Sequence, residues 1–421
     1  EQRWWREKLL PTKQKARPTR LGVRTMTRVS DYLSQLIAFD TVSSRSNEGI
    51  SDLIAAWLRE LDFDVERTSY RDSRGVLKCN LVARRGPEMN ASGVGDSGRH
   101  SADKRSGLAY FCHTDTVPAD RWTGPGHNPF IATVEGTRIY GRGACDMKGS
   151  LAAMLTSVSQ VDPALQTSPL WIVCTADEEV GFEGARHLTE HSAFYGQIAA
   201  VDPPCIIGEP TGLRVIHAHK GIVGFRVVSA GRAAHSSTNT GVNANVAMVP
   251  MLQTLLEINE RCQTDLDLRN GMFDPPTLTW NFGVSDGMDA LNIVPDHCAA
   301  WVSFRTMPGV DGSELLAQVQ QRAVELGLTF QLFPGGEPMQ TPADAACVRD
   351  LCELAKPFIG ENRSEAVCYA TDACVLNGLT QRMVCGPGEI AQAHTVNEFI
   401  EVDQLEKGVQ LYESAIRHWC V

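Results

Sequence analysis

The sequence predicts an α/β fold in two parts: a larger domain with a mostly parallel sheet flanked by helices, and a smaller, inserted ferredoxin-like α+β domain. Two observations lead to this prediction. Short apolar runs alternate with amphipathic helical stretches in the first and last parts of the chain. Between residues 213 and 337 the order changes to β-α-β-β-α-β, and the alternation resumes after Pro342. We therefore expect residues 26–212 and 338–421 to form one domain around the insert.

The elements of the first segment follow from hydrophobic spacing and from residues that begin helices. Apolar residues at helical spacing predict helices from Ser30 to Phe39 and from Ser51 onward, where the serine is a good N-cap. Buried strands are predicted for CNLVAR, GLAYFCHTD, LWIVCTAD and CIIGEP, and helices for MKGSLAAMLTSVSQV, after Asp146, and EGARHLTEH. Strands that alternate with helices favour a largely parallel sheet covered on both faces.

The middle segment has a different order of elements. Its pattern predicts a strand at GIVGFRVVSAG, a helix over 243–260, strands at LTWNFGV and HCAAWVSFRT, a helix over 312–326 and a strand at LTFQLF. This is the order of a ferredoxin-like unit. The last segment predicts a strand at AVCYAT, a helix near 372–377, a strand at RMVCGPG and a closing helix over 402–419.

Composition narrows the class of protein. The 421 residues are 43% hydrophobic and carry a net charge of −11, although the first 25 hold eight Lys or Arg against two Glu. An acidic body argues against nucleic-acid binding, and no window of about 18 apolar residues predicts a membrane span. The 13 cysteines form no C-x-x-C pair, so we expect reduced thiols and a cytoplasmic location.

Two segments are predicted to lie outside the packed fold. Residues 1–25 have no signal-peptide apolar region and are expected to be a disordered extension, with Met26 as a candidate natural start. Residues 86–107 are rich in Gly, Ser and charged residues and lack periodicity, so they are expected to form an exposed insertion or mobile loop.

Polar motifs follow the predicted strands of the larger domain, at the edge where open α/β sheets bind ligands. They are HTD (113–115), GRGACDMKG (141–149), ADEEVG (176–181), GEPT (208–211) and AQAHTVNE (391–398). Each has an ordinary explanation by itself: a lone His113 fits a core histidine, and Asp146 fits a helix N-cap. Together, two histidines and three or more carboxylates match the nitrogen and oxygen ligands of zinc, cobalt or manganese.

Residue spacing within two of these motifs suggests roles. Residues i and i+2 of a strand point to the same side, so the carboxylate of Asp115 is expected to accept the free ring N–H of His113 and fix its tautomer. Of the adjacent Glu178 and Glu179, one can ligate a metal while the other acts on the metal-bound water. The pattern therefore predicts metal-assisted hydrolysis.

Longer stretches of the sequence resemble a known family. HTDTVP, GRGACDMKGSLAAML, TADEEVGFEGARHL, CIIGEPTGLRVIHAHKG, GRAAHSS, ALNIVPDH and VCGPGEIAQAH occur in the order found in the dinuclear zinc peptidase and deacylase family. That family includes acetylornithine deacetylase, succinyl-diaminopimelate desuccinylase, aminoacylase and glutamate carboxypeptidase. The resemblance covers residues 27–421 except 86–107, and HAHKG and CGPGEIAQAH are most similar to the acetylornithine branch.

The resemblance implies a role for individual residues. Asp146 would bridge two divalent metal ions, zinc in the first place with cobalt or manganese as alternatives. The remaining implied ligands are His113 and Glu209 at one metal, and Glu179 and His394 at the other. Glu178 would be the general base and acid beside Asp115, and His235 would reach the substrate oxyanion, often across a dimer interface in this family. Arg305 and Asn292 match positions that hold the substrate.

The implied reaction is removal of the acetyl group from N2-acetyl-L-ornithine by metal-bound hydroxide, giving ornithine and acetate for arginine biosynthesis. The implied assembly is a cytoplasmic homodimer whose smaller domain serves as lid and dimerisation domain. Asp372 is either an anionic partner for the ornithine ammonium or the N-cap of the following helix. Two alternatives stay open: hydrolysis of another N-acyl amino acid such as N-succinyl-diaminopimelate, and a non-catalytic binding protein.

Two further motifs carry weaker hypotheses. GVSDG (283–287) fits the G-x-S-x-G pattern of serine hydrolases, but that motif must join a strand to a helix, and Pro295 prevents a long helix here. HAH (217–219) places two histidines on one strand face, where substrate contact or packing is a simpler explanation than a second metal site.

Overall fold

The computed structural model describes residues 28–87 and 106–421. The predicted extension, residues 1–25, and most of the predicted insertion, residues 88–105, lie outside the described residues.

The predicted helices begin and end within a few residues of their expected positions, but the second begins at Glu48, three residues before Ser51, so Ser51 is not its N-cap. The helices are α1 (Arg28–Ile37), α2 (Glu48–Glu60), α3 (Lys148–Val158), α4 (Glu183–His191), α5 (Ala193–Val201), α6 (Ala244–Thr264), α7 (Ser313–Glu325), α8 (Ala346–Ile359) and α9 (Val402–Cys420). Every residue of α3 is buried, because this helix packs between the large sheet and its neighbours α1 and α9. No helix in the described ranges is long and apolar enough to cross a membrane.

The strands form three sheets. Their bounds are β1 (Asp64–Arg71), β2 (Leu77–Arg85), β3 (Leu108–His113), β4 (Thr133–Glu135), β5 (Arg138–Tyr140), β6 (Leu170–Thr175), β7 (Cys205–Ile207), β8 (Val215–His219), β9 (Ile222–Ala230), β10 (Thr279–Ser285), β11 (His297–Arg305), β12 (Thr329–Gly336), β13 (Met339–Gln340), β14 (Ser364–Val367), β15 (Arg382–Val384) and β16 (Phe399–Glu401). The sequence pattern did not identify helices α5 and α8, the edge strand β1, or the short strands β4, β5, β13 and β16.

The large sheet has nine strands in the order β1-β2-β6-β3-β7-β15-β8-β13, with β14 also paired to β8. The sheet is mixed: its centre, β6-β3-β7-β15, is parallel, whereas β1, β2 and β13 pair antiparallel toward the edges. The six residues of β3 and the six of β6 are all buried, as expected for central strands covered on both faces. The predicted α/β fold is confirmed.

Helices cover both faces of this sheet. Leu33 of α1, Leu151 of α3 and Leu411 of α9 are fully buried in one core, together with Leu108 and Tyr110 of β3. The alternate residues of β3 face a second core, which includes Leu188 of α4 and Tyr195 and Ile198 of α5. Each such side chain contributes about 1.5–3 kcal/mol through burial, so the sheet is held rigidly between two layers.

The smaller sheet is antiparallel, in the order β10-β11-β9-β12. Helices α6 and α7 bury Met248, Leu255 and Val319 against Phe225 and Val302 of this sheet. The order β9-α6-β10-β11-α7-β12 confirms the predicted ferredoxin-like arrangement. A third sheet, β16-β5-β4, joins the segment before α9 to the loop that precedes α3.

Candidate active site

The parallel centre of the large sheet brings polar side chains to one edge. β3 ends at His113, Glu178 and Glu179 follow β6, Glu209 follows β7, and His394 lies in the segment after β15. Asp146 reaches the same edge from the loop that precedes α3, and its peptide bond to Met147 is cis. The predicted motifs therefore meet because the carboxyl ends of parallel strands lie at a common edge.

Asp146 lies at the centre of the cluster. Its Oδ1 is 3.1 Å from Nε2 of His113, and its Oδ2 is 3.4 Å from Nε2 of His394. Glu179 completes the His394 side, with Oε2 at 2.9 Å from Nε2, and Glu209 Oε1 is 3.8 Å from Nε2 of His113. One carboxylate thus separates two groups of candidate ligands, each containing one histidine and one further carboxylate.

The cluster carries more negative charge than its surroundings neutralise. Burial raises the pKa of Glu178, Glu179 and Glu209, and neighbouring carboxylates add to this effect. Hydrogen bonds with Asp146 and Glu179 raise the pKa of His394 to about 10. Burial acts against protonation of His113, but the carboxylates around it raise its pKa well above the usual range. The site thus favours positive charge at its centre.

The donor set fits divalent metal ions. Ligand atoms of His113, Asp146 and Glu179 lie within 4.8 Å of one another. Oε1 of Glu179 is buried and has no hydrogen-bond partner within the described residues, although a buried carboxylate oxygen is costly when unpaired. Nitrogen and oxygen donors at this spacing are those that zinc and similar cations take.

Asp115 contacts His113 differently from the prediction. Nδ1 of His113 donates to the backbone carbonyl of Asp115 at 2.9 Å, whereas the carboxylate Oδ1 is 3.7 Å away. The backbone oxygen thus fixes the ring and leaves Nε2 facing Asp146. The Asp115 carboxylate instead accepts from Ser43 Oγ at 2.7 Å and from the backbone N–H groups of Glu178 and Glu179 at 3.2 and 3.4 Å. It supports the turn that carries the two glutamates.

Glu398 is a residue of the site to which the sequence assigned no role. Its buried carboxylate accepts from Arg142 at 2.7 Å and from the backbone N–H groups of Gly143, Cys145 and Asp146 at 2.8–3.0 Å. These bonds fix the loop that presents Asp146. The signal in the sequence was its place at the end of the AQAHTVNE motif, four residues after His394.

Asp372 is not a helix cap, so that alternative was wrong. The short helix over Asp372–Cys374 is capped by Thr371, whose side chain accepts from the N–H of Ala373. Asp372 is buried: Oδ2 accepts from Thr175 at 2.5 Å, and Oδ1 has no partner within the described residues. Burial raises its pKa to about 6.

The predicted residues of the smaller domain are less closely tied to the cluster. Arg305 interacts electrostatically with Glu178, and burial lowers its pKa. His235 is exposed, and its Nδ1 lies 2.6 Å from Oγ of Ser237. Asn292 is also exposed, and its carbonyl accepts from the N–H of Ser236. In the described part of the chain, no hydrogen bond or ion pair joins His235 or Asn292 to the metal-ligand cluster.

Neither of the two weaker motifs belongs to the metal-binding group found in the described residues. GVSDG begins in the partly buried strand β10, and Ser285 Oγ accepts from the N–H of Gly287, with no helix directly following. His219 is fully buried, and its ring nitrogens contact the Lys220 carbonyl at 2.9 Å and Thr371 Oγ1 at 3.1 Å. Burial lowers its pKa to about 4, so it is a neutral packing residue.

Solved structures share this architecture. An M20 family metallo-carboxypeptidase from Sulfolobus solfataricus has a TM-score of 0.71 and 18% identity, covering 94% of this chain and 99% of that one. A di-peptidase from Saccharomyces cerevisiae has a TM-score of 0.70 and 15% identity, covering 93% and 95%. At these identities the likeness concerns the fold.

Sequence relatives are more similar. An acetylornithine deacetylase of Yersinia pseudotuberculosis is 33% identical over 393 residues, covering 91% of this chain and 94% of the relative. One of Proteus mirabilis is 34% identical over 397 residues, covering 91% and 93%. Residues 109–418 match the model of peptidase family M20/M25/M40. The chain therefore belongs to this family and is a metallohydrolase that acts on amides.

Proposed function

We propose that the protein hydrolyses the amide of N2-acetyl-L-ornithine to ornithine and acetate, a step of arginine biosynthesis. The observation that carries the proposal is the position of Asp146 between two groups of ligands, each with its own histidine. The substrate is proposed from the relatives, which are named acetylornithine deacetylase and match over nearly the whole chain.

The proposed centre holds two divalent ions, with zinc first and cobalt or manganese as alternatives. Asp146 would contact both ions. His113 and Glu209 would hold one ion, and Glu179 and His394 the other, because each pair lies on one side of Asp146. Bound ions of this kind lower the pKa of water and polarise a carbonyl oxygen.

Glu178 is proposed as the general base and acid. Its backbone is fixed by the Asp115 carboxylate, while its half-buried side chain interacts with the charges of His113 and Glu209. Burial raises its pKa, which makes its carboxylate a better proton acceptor. It would take a proton from the attacking water and return it to the leaving nitrogen.

The remaining predicted residues are proposed to bind the substrate. Arg305 would pair with the substrate carboxylate and Asp372 with the ornithine ammonium, since opposite charges suit these groups. Asn292 would hold backbone groups of the substrate. The neutral form of His235 carries its proton on Nε2 when Ser237 donates to Nδ1, so it can donate to the oxyanion.

Because no hydrogen bond or ion pair in the described residues joins His235 to the cluster, we propose that it acts in the site of a second protomer of a homodimer. The exposed residues Val246, Val249 and Leu256 form an apolar stripe on one face of α6. Strand β10 is the edge of the smaller sheet. Both features are suited to pairing between copies. All 13 cysteines are free, which supports a reducing cytoplasmic location.

The test is release of free amine by the metal-loaded protein from N2-acetyl-L-ornithine, N-succinyl-diaminopimelate and N-acetyl-methionine, with and without chelator. Chelator-sensitive turnover of acetylornithine alone is the expected result. Faster turnover of another substrate would contradict the proposed substrate but keep the amide hydrolysis. No turnover of any of the three would contradict the proposed reaction.

A further inference from the structure

The turn that carries Glu178 and Glu179 begins with an unusual backbone conformation. Asp177 has a φ of +56°, in the left-handed region that few residues other than glycine adopt. Such a conformation persists when the surroundings hold it. Because Asp177 directly precedes Glu178, its backbone sets the direction in which the next two side chains leave the chain.

Three side chains meet at this position. Lys78 Nζ donates to Oδ1 of Asp177 at 2.5 Å, and the hydroxyl of Tyr70 donates to Oδ2 at 2.8 Å. Lys78 also donates to the carbonyl of Ser43 at 2.7 Å. Lys78 and Asp177 are buried, with 1% and 3% of their side chains exposed. We call Tyr70, Lys78 and Asp177 the clamp.

The clamp is the side-chain contact of the turn at Asp177, between two other supports. Asn80 of β2 accepts from the N–H of Ala176 at 3.1 Å, on the strand side of the turn. The Asp115 carboxylate accepts from the N–H groups of Glu178 and Glu179 on the other side. The clamp fixes the residue between these two supports. Burial and the Asp177 carboxylate raise the pKa of Tyr70, so its hydroxyl stays a donor.

We propose that Tyr70, Lys78 and Asp177 are positioning residues that hold Glu178 toward the scissile amide and Glu179 toward the metal. The inference rests on the proposed function for the role of Glu178. It goes beyond that function because it assigns the separation of the two adjacent glutamates to a buried ion pair between Lys78 of β2 and Asp177 of the turn after β6. A group that only stabilises the fold would affect stability without changing the chemical step.

The first test compares Tyr70→Phe with Tyr412→Phe. Both changes remove one hydroxyl that donates a hydrogen bond. Tyr412, which lies on α9, donates to the carbonyl of Cys385 at 2.9 Å. Tyr70→Phe is expected to lower kcat about tenfold with KM unchanged, because small misplacements of catalytic groups are costly. Tyr412→Phe should keep kcat within about twofold. Equal kcat values for the two variants would overturn the proposal.

The second test replaces the ion pair. Removing one partner would leave a buried charge unpaired and could unfold the protein, so Lys78→Met is combined with Asp177→Asn. The folded double variant is expected to bind Zn²⁺ about tenfold more weakly, measured by competition with a chromophoric chelator, because Glu179 is displaced. Unchanged Zn²⁺ affinity would overturn the proposal. Zn²⁺ affinity can be measured without turnover. It therefore still tests the role of the clamp if the wild type hydrolyses none of the amides and the proposed function fails.

Discussion

Replacing Glu178 by glutamine separates proton transfer from metal binding. Glutamine has nearly the same shape, and the groups around Asp146 contain His113, Glu209, Glu179 and His394 but not Glu178. We therefore expect Glu178→Gln to retain both metal ions. General acid–base catalysis contributes about 10²–10⁴-fold, so kcat should fall by that factor, or about 3–5 kcal/mol of transition-state stabilisation.

The substitution is also expected to increase the stability of the metal-free protein, although it lowers kcat. Burial and the charge of Glu209 raise the pKa of Glu178, which means that its carboxylate destabilises the folded, metal-free protein at neutral pH. Glu178→Gln removes that charge, so the chelated variant should melt at a higher temperature than the chelated wild type.

The assay is amine release at saturating acetylornithine, with bound metal counted by mass spectrometry on the same sample. Glu183→Gln is a matched control. Glu183 lies in the first turn of α4, shortly after Glu178 and Glu179 in the sequence, and is not a proposed metal ligand. A kcat within about tenfold of the wild type, with two metals bound, would refute the assignment of Glu178 as base.

Three further predictions concern the buried side chains of Glu398, His219 and Asp372. Glu398→Gln should destabilise the protein by about 3–5 kcal/mol and weaken metal binding, because it leaves the buried Arg142 unpaired; unchanged urea unfolding and Zn²⁺ titration would contradict this. The pKa of His219 is about 4 in the fold and about 6.5 when unfolded, so the unfolded state binds more protons between these values. Lowering the pH from 6.5 to 4 should therefore cost up to about 3 kcal/mol, and His219→Gln should flatten this part of the curve of unfolding free energy against pH; a wild-type slope would exclude the effect. Asp372→Asn should raise KM for acetylornithine far more than for N-acetyl-methionine, and equal changes would argue against pairing with an ammonium.

The sequence predicted those parts of the fold that depend on long apolar patterns. β3 and β6 are continuous buried runs, and α9 has a regular apolar face, so each was identified. Strand β1 was missed because DVERTSYR is largely polar and lies at the sheet edge, where only one side needs apolar residues. The antiparallel edges of the sheet also escaped prediction, since periodicity does not report strand direction.

The sequence predicted that the site motifs converge, because they follow neighbouring parallel strands. It did not predict the contacts between individual groups. Spacing placed Asp115 beside His113, yet it could not tell whether the backbone oxygen or the carboxylate would accept the ring N–H. Thr371 rather than Asp372 caps the short helix, because that helix begins at Asp372, one residue earlier than a cap at Asp372 would require. Glu398 and the clamp bind through contacts distant in sequence, which a single chain's pattern cannot indicate. The ligand, base and substrate roles stay predictions.

The position of β15 has a consequence for how the protein is made. This strand lies between β7 and β8, although a ribosome produces it only after the entire smaller sheet. Until then the nascent chain exposes the unpaired edge of β7, which is open to wrong partners. The same late segment brings His394 and Glu398. The central sheet and the proposed metal site are therefore both completed late in synthesis, and a chain that ends before β15 lacks both.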